Sequence, residues 1–232
     1  MNLEQVVVLL EQNKNVRGIE NWEKMAKTGD LTSYGIGLTV QRKLAKKVGR
    51  NRQLSKELWA LNNYDAKVLS LLIDDPKHIT TEQAEQQVDQ LHAGMLAHVF
   101  SSCDATLAKA PIAFEIAQRW LKSNDPMRRS CAFGLVYEFS KKKSKAYNDE
   151  FFMSVIDNIT ATFSHEPKAV QLAMGAALMG IGKRNVSLNQ AALSLAQKLG
   201  PIDFNENGKK CDPFDVAKHL TSDYIKNKFK GV

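Results

Sequence analysis

Two stretches of this chain can be laid on one another: LWALNNYDAKVLSLLI (58–73) and RWLKSNDPMRRSCAFGL (119–135). Trp59 then meets Trp120, Asn63 meets Asn124 and Lys67 meets Arg128. A third stretch, FSHEPKAVQLAMGAAL (163–178), matches the second where Glu166-Pro167 falls on Asp125-Pro126. Each reads as helix, short polar turn, helix, with a basic residue early in the second helix. The last two copies lie about 40 residues apart, the period of HEAT-type repeats. A single helix pair of that size cannot bury its apolar stripe alone, so the pairs must stack. The echo therefore asks for an all-α, HEAT-like repeat α-solenoid, a right-handed stack with a concave face, occupying 1–232 as one domain with a looser connection near 201–212 before the last helix.

The rest of the chain agrees with that demand. Leu3, Val6, Val7 and Leu10 share one helical face, and segments such as QRKLAKKV, DAKVLSLLI, EQAEQQVDQL, IAFEIAQRWL and NQAALSLAQKL have the same period. Thr80 with Gln83 and Ser187 with Gln190 fit capping boxes, and Asp125-Pro126 fits an N-cap followed by a first-turn proline. SYGIGLTV (33–40) is the one short strand candidate. Hydrophobic residues make up 44% of 232, enough for a sizeable core. Three cysteines without a CxxC suit a reducing cytoplasm better than a disulfide framework. No apolar run approaches the roughly 20 residues of a membrane span, so no membrane is expected as partner.

Charge narrows the function. Lys+Arg is 32 against 25 acids, a formal +7, which favours polyanionic partners. Between Asp30 and Glu57 there are no acids but seven bases: Arg42, Lys43, Lys46, Lys47, Arg50, Arg52 and Lys56. The spacing of residues 42, 43, 46, 47 and 50 places them on one side of a helix, a shape suited to a phosphate backbone. Lys141, Lys142, Lys143 and Lys145 form a second cluster, and Lys226, Lys228 and Lys230 a third. Solvated lysines near helix C-termini are the plain alternative, above all for the second cluster.

Enzyme motifs are scarce. MGIGKR (179–184) lacks phosphate-loop spacing and follows no strand, and Gly35-Ile36-Gly37 lacks the third glycine of a dinucleotide fingerprint. The five histidines show neither HExxH nor zinc-finger spacing, so neither a metal nor a cofactor is expected. Adjacent arginines at 128 and 129, in the first turn of a buried-looking helix, need partners. One can face a groove phosphate. Alternatively, Arg129 pairs internally with a carboxylate such as Asp104.

Three segments, NWEKMAKTGDLTSYGIGLTVQRKLAKKV, LSKELWALNNYDAKVLSLLIDDP and RWLKSNDPMRRSCAFGLV, resemble the AlkD-like DNA alkylation-repair proteins, and the likeness runs over nearly the whole chain. The resemblance implies a HEAT-like solenoid holding double-stranded DNA in a basic concave groove. It also implies a monofunctional DNA glycosylase, a cofactor-free hydrolase that breaks the N-glycosidic bond of cationic N3- and N7-alkylpurines. In that mechanism a carboxylate stabilises the oxocarbenium-like sugar, aromatic faces hold the cation, and an arginine pins a phosphate. Carried across, the aspartate is Asp104, one aromatic is Phe100, and the arginine is Arg129, with Arg128 as the alternative one position away. The second aromatic position carries Ala176. Phenylalanine binds cations less well than tryptophan, and alanine has no ring. A non-catalytic protein recognising damaged or branched DNA is therefore the competing expectation, and a protein-binding scaffold the third. A cytoplasmic monomer is expected, nucleoid-associated if the source is bacterial.

Overall fold

The computed structural model describes residues 1–25, 29–203 and 212–230. Its secondary structure is helical throughout, with two isolated bridges, Thr32 to Asn63 and Ile202 to Phe214, and no strand among the described residues. Most of the connection expected near 201–212 lies outside the described residues, as does Cys211. The chain forms two compact units, 1–113 and 114–232.

The first unit holds α1 (Leu3–Gln12), α2 (Val16–Glu23), α3 (Leu38–Val48), α4 (Arg52–Trp59), α5 (Tyr64–Ile73), α6 (Thr81–Val88) and α7 (Leu96–Ser101). Its core gathers Val6, Leu10, Ile36, Leu44, Leu54, Leu58, Leu69 and Ile73. Val6 and Leu10 are the buried members of the face read from α1. Asn2 and Gln5 close a reciprocal capping box at its start.

SYGIG does not form a strand. It is an extended connection whose backbone donors go to a buried carboxylate rather than to a ladder. Asp65, 0% exposed, accepts from the Tyr34 N–H at 2.7 Å, the Ile36 N–H at 3.0 Å, the Ser33 hydroxyl at 2.7 Å and the Gln41 amide at 3.0 Å. Four donors on one carboxylate offset the cost of burying it. Gly35 has φ +69°, and a Cβ there would lie 2.4 Å from the Ile19 nitrogen. Gly18 meets it from the other side, where a Cβ would lie 2.0 Å from the Gly35 oxygen. Two backbones in contact leave no room for a side chain on either. Together Asp65 and this glycine pair set where α3 begins.

The second unit holds α8 (Ala113–Trp120), α9 (Pro126–Ser140), α10 (Asp149–Thr162), α11 (Lys168–Gly182), α12 (Val186–Leu199), α13 (Val216–Leu220) and α14 (Asp223–Phe229). Asp125 caps α9 as its sequence suggests: its carboxylate accepts from the Met127 N–H at 3.1 Å, with Pro126 in the first turn. The box expected at Ser187 falls two residues late, because Asn185 caps α12 by accepting from the Leu188 N–H at 2.9 Å. Thr80 does cap α6, but the Gln83 side chain goes to Asp74 at 2.6 Å instead of closing a box. The glycines of MGIGKR serve packing. A Cβ on Gly180 would lie 2.3 Å from the Ser140 hydroxyl on α9, and one on Gly182 would lie 2.7 Å from Leu220 on α13.

The sequence echo persists in three dimensions, with its register moved by one. Asn63 and Asp125 are the N-caps, so Lys67 corresponds to Arg129, not to Arg128. Each is the fourth residue of its helix, and each reaches back to a carbonyl before the turn. Lys67 donates to the Trp59 carbonyl at 2.6 Å and Arg129 to the Ser123 carbonyl at 2.8 Å. In α11 the fourth residue, Gln171, donates to the Phe163 carbonyl at 2.9 Å; in α12 Asn189 donates to the Gly182 carbonyl at 2.8 Å. Helix C-termini leave carbonyls without partners, and this position supplies a donor to one of them.

Candidate nucleic-acid interface

α3 is amphipathic by residue type. Gln41 and Leu44 are buried, while Arg42, Lys43, Lys46 and Lys47 are exposed. No acidic side chain among the described residues pairs with Lys43, Lys46 or Lys47. Their lack of a counter-ion follows from the acid-free stretch between Asp30 and Glu57.

Arg50 is not on that helix. α3 ends at Val48, and Gly49 turns the chain with φ +78°. The Arg50 guanidinium donates to the Asp74 carbonyl and, at 3.1 Å, to the Thr106 hydroxyl. Arg52 turns to the same corner, 3.5 Å from the buried Asp74 carboxylate. These two arginines brace the end of α5, and their charges are already partly used.

Beside α3 opens a cleft of about 430 Å³ lined by Arg42, Lys46, Arg50, Lys109, Cys103 and Asp104, among others. Asp104 is exposed there and makes no ion pair among the described residues. Its backbone is left-handed, φ +53°, a conformation aspartate tolerates better than most residues. It follows the end of α7, so Asp104 and Phe100 are not neighbours on one helix face as the spacing of four suggests. Phe100 is 2% exposed and packs inside the first unit near Leu71, Ile79 and Leu107. Its ring is part of the core. Arg42 meets the Cys103 sulfur at the rim of the cleft.

Arg128 and Arg129 find partners within the second unit. Arg128 pairs with Asp125 at 2.9 Å. Arg129 forms a two-pronged pair with Glu166, Nε to Oε1 and Nη2 to Oε2, both 2.6 Å, while Nη1 takes the Ser123 carbonyl. The pair is largely buried, with Arg129 18% and Glu166 8% exposed. A carboxylate therefore holds Arg129, and it is Glu166 rather than Asp104. The Glu166-Pro167 dipeptide was legible as a repeat marker, but its role as a partner was not, because the two residues are 37 apart in sequence. Ala176, on α11, is half-exposed.

The fold and the unneutralised cationic face define a class: an all-α, HEAT-like repeat protein with a basic surface. Residues 8–208 match the family described as DNA alkylation repair enzyme, and the chain belongs to that family. An uncharacterized protein of Listeria innocua serovar 6a is 21% identical over 229 residues, covering 95% of this chain and 96% of the relative. An uncharacterized protein of Listeria monocytogenes serovar 1/2a has the same identity and coverage. A solved structure described as representing "a new family of proteins related to the HEAT-like repeat DNA glycosylases with affinity for branched DNA structures" superposes with a TM-score of 0.82 at 21% identity, covering 99% of this chain and 96% of that one. At that identity the likeness establishes the fold alone.

Proposed function

We propose that this protein binds the phosphate backbone of double-stranded DNA, branched DNA included, through the exposed face of α3 and the adjoining cleft, and that it does so without excising bases. The observation that carries the reading is the row Lys43, Lys46 and Lys47, exposed on one helix face with no counter-ion among the described residues. Such lysines release condensed counter-ions when they meet phosphates, the main sequence-independent source of DNA affinity. Membership of a DNA repair family and a fold neighbour described as having affinity for branched DNA support the same class of ligand. The basic face of α3 speaks for a polyanionic partner over the protein-scaffold reading.

Excision of cationic alkylpurines is the second reading, favoured by one feature: Asp104 is an exposed carboxylate among cations, with no ion pair among the described residues. Against it stand the buried Phe100 ring, the small side chain of Ala176, and the engagement of Arg129 by Glu166. In the mechanism that the resemblance implies, the carboxylate acts together with aromatic faces and a phosphate-binding arginine.

Replacing Lys43, Lys46 and Lys47 together by Glu tests the main reading. Duplex affinity should fall, and the slope of log affinity against log salt should shrink by about 0.9 for each lost contact. An unchanged slope would remove the DNA site from α3. Release of 7-methylguanine from methylated DNA by the wild-type protein would favour the second reading over the first.

A further inference from the structure

The second unit has its own cationic site. Where α9 ends and α10 and α12 begin, a cleft of about 890 Å³ is lined by Lys141, Lys142, Lys143, Lys183, Arg184 and Lys228, together with Asp149 and Glu150. The tail and the middle of the sequence thus supply cations to one place: Lys228, one of the three tail lysines, joins Lys141, Lys142 and Lys143 here.

Some of these charges are used internally. Lys141 pairs with the buried Glu138 at 2.7 Å and lies 4.2 Å from the centre of the Tyr137 ring. Arg184 donates to the Ser140 and Lys142 carbonyls at 2.8 and 2.7 Å, and its guanidinium lies 4.3 Å from the centre of the Phe152 ring. It therefore holds the end of α9 in place. The acids are also engaged: Asp149 accepts from Asn185 at 2.7 Å and Glu150 from Asn148 at 3.4 Å.

What remains is a group of ammonium ions that share the cleft with Asp149 and Glu150 but form no ion pair with them. No acidic side chain among the described residues pairs with Lys143, Lys183 or Lys228. The Lys228 ammonium donates to the carbonyl of Lys183 at 2.5 Å, which keeps the two side chains in one neighbourhood. Burial, and then repulsion from Lys228, push the Lys183 amine below the ordinary lysine range. Holding Lys183 and Lys228 together with no ion pair to either costs stability, and an arriving anion would offset that cost.

Tyr147 is stacked on Phe139, with centroids 4.8 Å apart and planes 15° apart, and Lys141 lies over Tyr137. One face of each ring is thus taken internally, and the groups the cleft offers without an ion-pair partner are ammonium ions, which suit a phosphodiester backbone.

We propose that this cleft is a second phosphodiester-backbone site, separate from α3, in which Lys143, Lys183 and Lys228 contact a DNA strand. The proposal rests on the reading that the protein binds DNA, and it adds a ligand contact on the other unit.

The test compares two variants, K143E/K183E and K43E/K46E/K47E, by titrating a linear duplex and a four-way junction across a salt series. Both variants should show a shallower salt slope, by about 0.9 for each contact removed. If only the α3 variant flattens the slope, this cleft is not a DNA contact and the general reading survives. If only the cleft variant does, the second site stands and the α3 reading falls. K143Q/K183Q removes charge without reversing it and should flatten the slope equally; it also serves if the Glu pair does not fold. Inorganic pyrophosphate distinguishes the source of the phosphate. Weak, non-saturating binding is expected, whereas saturable binding lost in K143Q/K183Q, with an unchanged DNA slope, would overturn the backbone assignment in favour of a free polyphosphate.

Discussion

Two basic regions of the molecule carry similar residues and use them differently. On α3, Lys43, Lys46 and Lys47 project to solvent and find no carboxylate among the described residues. At the start of α9, Arg128 and Arg129 are both paired, with Asp125 at 2.9 Å and with Glu166 at 2.6 Å. The first region leaves its charge uncompensated, while the second uses it on the turn between α8 and α9. Composition cannot separate the two cases, because a cation's usefulness to a ligand depends on its nearest internal acid. The stretch around α3 has no acid close in sequence, whereas the α9 turn has Asp125 nearby and Glu166 brought in by the fold.

Arg129 also occupies a position that recurs. The fourth residue of α5, α9, α11 and α12 is Lys67, Arg129, Gln171 and Asn189, and each donates to a carbonyl preceding its turn. Two of these four are uncharged, so the shared requirement is a hydrogen-bond donor, not a cation. That argues for an architectural role at this position before any role in phosphate binding.

The contrast breaks most severely at Asp65, which orients the connection into α3. Asp65→Ala leaves two backbone N–H groups and two side chains without their acceptor, and should cost several kcal/mol, at roughly 1–3 kcal/mol for each buried donor left unsatisfied. Urea unfolding would measure it. A loss below about 1 kcal/mol would mean that water replaces the carboxylate easily. Next in size is Arg129. Arg129→Ala should cost about 3 kcal/mol by leaving Glu166 buried alone, with DNA affinity of the folded protein unchanged. A drop in affinity without a loss of stability would reverse the assignment and make Arg129 a DNA contact.

The elements legible in the sequence were those specified locally. Helical period marked α1, α3 and α5, while the echo and the Asp125-Pro126 pair marked α9 and where it begins. The basic face of α3 was legible because four-residue spacing and missing acids are both local facts. What escaped was specified at a distance. Asp65 looks like an ordinary first-turn acid, yet its partners lie 24 to 32 residues upstream. Glu166 looks like a turn residue until the fold brings Arg129 to it. Arg50 was placed on α3 because the charge pattern runs on past Gly49, although the positive φ of that glycine ends the helix. The register of the echo moved because helix caps, not asparagine identities, align the turns.

A pH series sharpens the same contrast. Burial alone would raise the Asp125 carboxyl, but the Met127 and Arg128 N–H groups and the Arg128 guanidinium outweigh it and hold it below the usual range. A carboxyl depressed in the folded state stabilises fully above its unfolded value near 4 and loses that contribution as pH falls through its lower folded value. Asp125→Ala should therefore cost about 1 kcal/mol at neutral pH, the worth of an N-cap, and the difference from wild type should shrink below pH 4. A constant difference down to acid unfolding would mean that the carboxylate's charge has no part in the cap.

The smallest expected effect is at Asp104, and it bears on what the cleft does. Its carboxylate lines a surface shared with Arg42, Lys46, Arg50 and Lys109. If the cleft only binds DNA, that negative charge opposes the incoming phosphates. Asp104→Asn should then tighten duplex binding by a few-fold, the effect of removing one partly screened like charge, and the gain should fade as salt rises. The fold should tolerate the change, because asparagine adopts left-handed backbone about as readily as aspartate. If instead the carboxylate serves a developing sugar cation, its contribution appears only in the transition state. Binding would then change little, while excision of 7-methylguanine would fall by roughly 10²–10³. The two readings thus predict effects on different quantities for one substitution. Tighter binding with no excision in either protein supports the backbone-binding assignment. Measurable excision that disappears in Asp104→Asn would overturn it and make the exposed aspartate the centre of a glycosylase site.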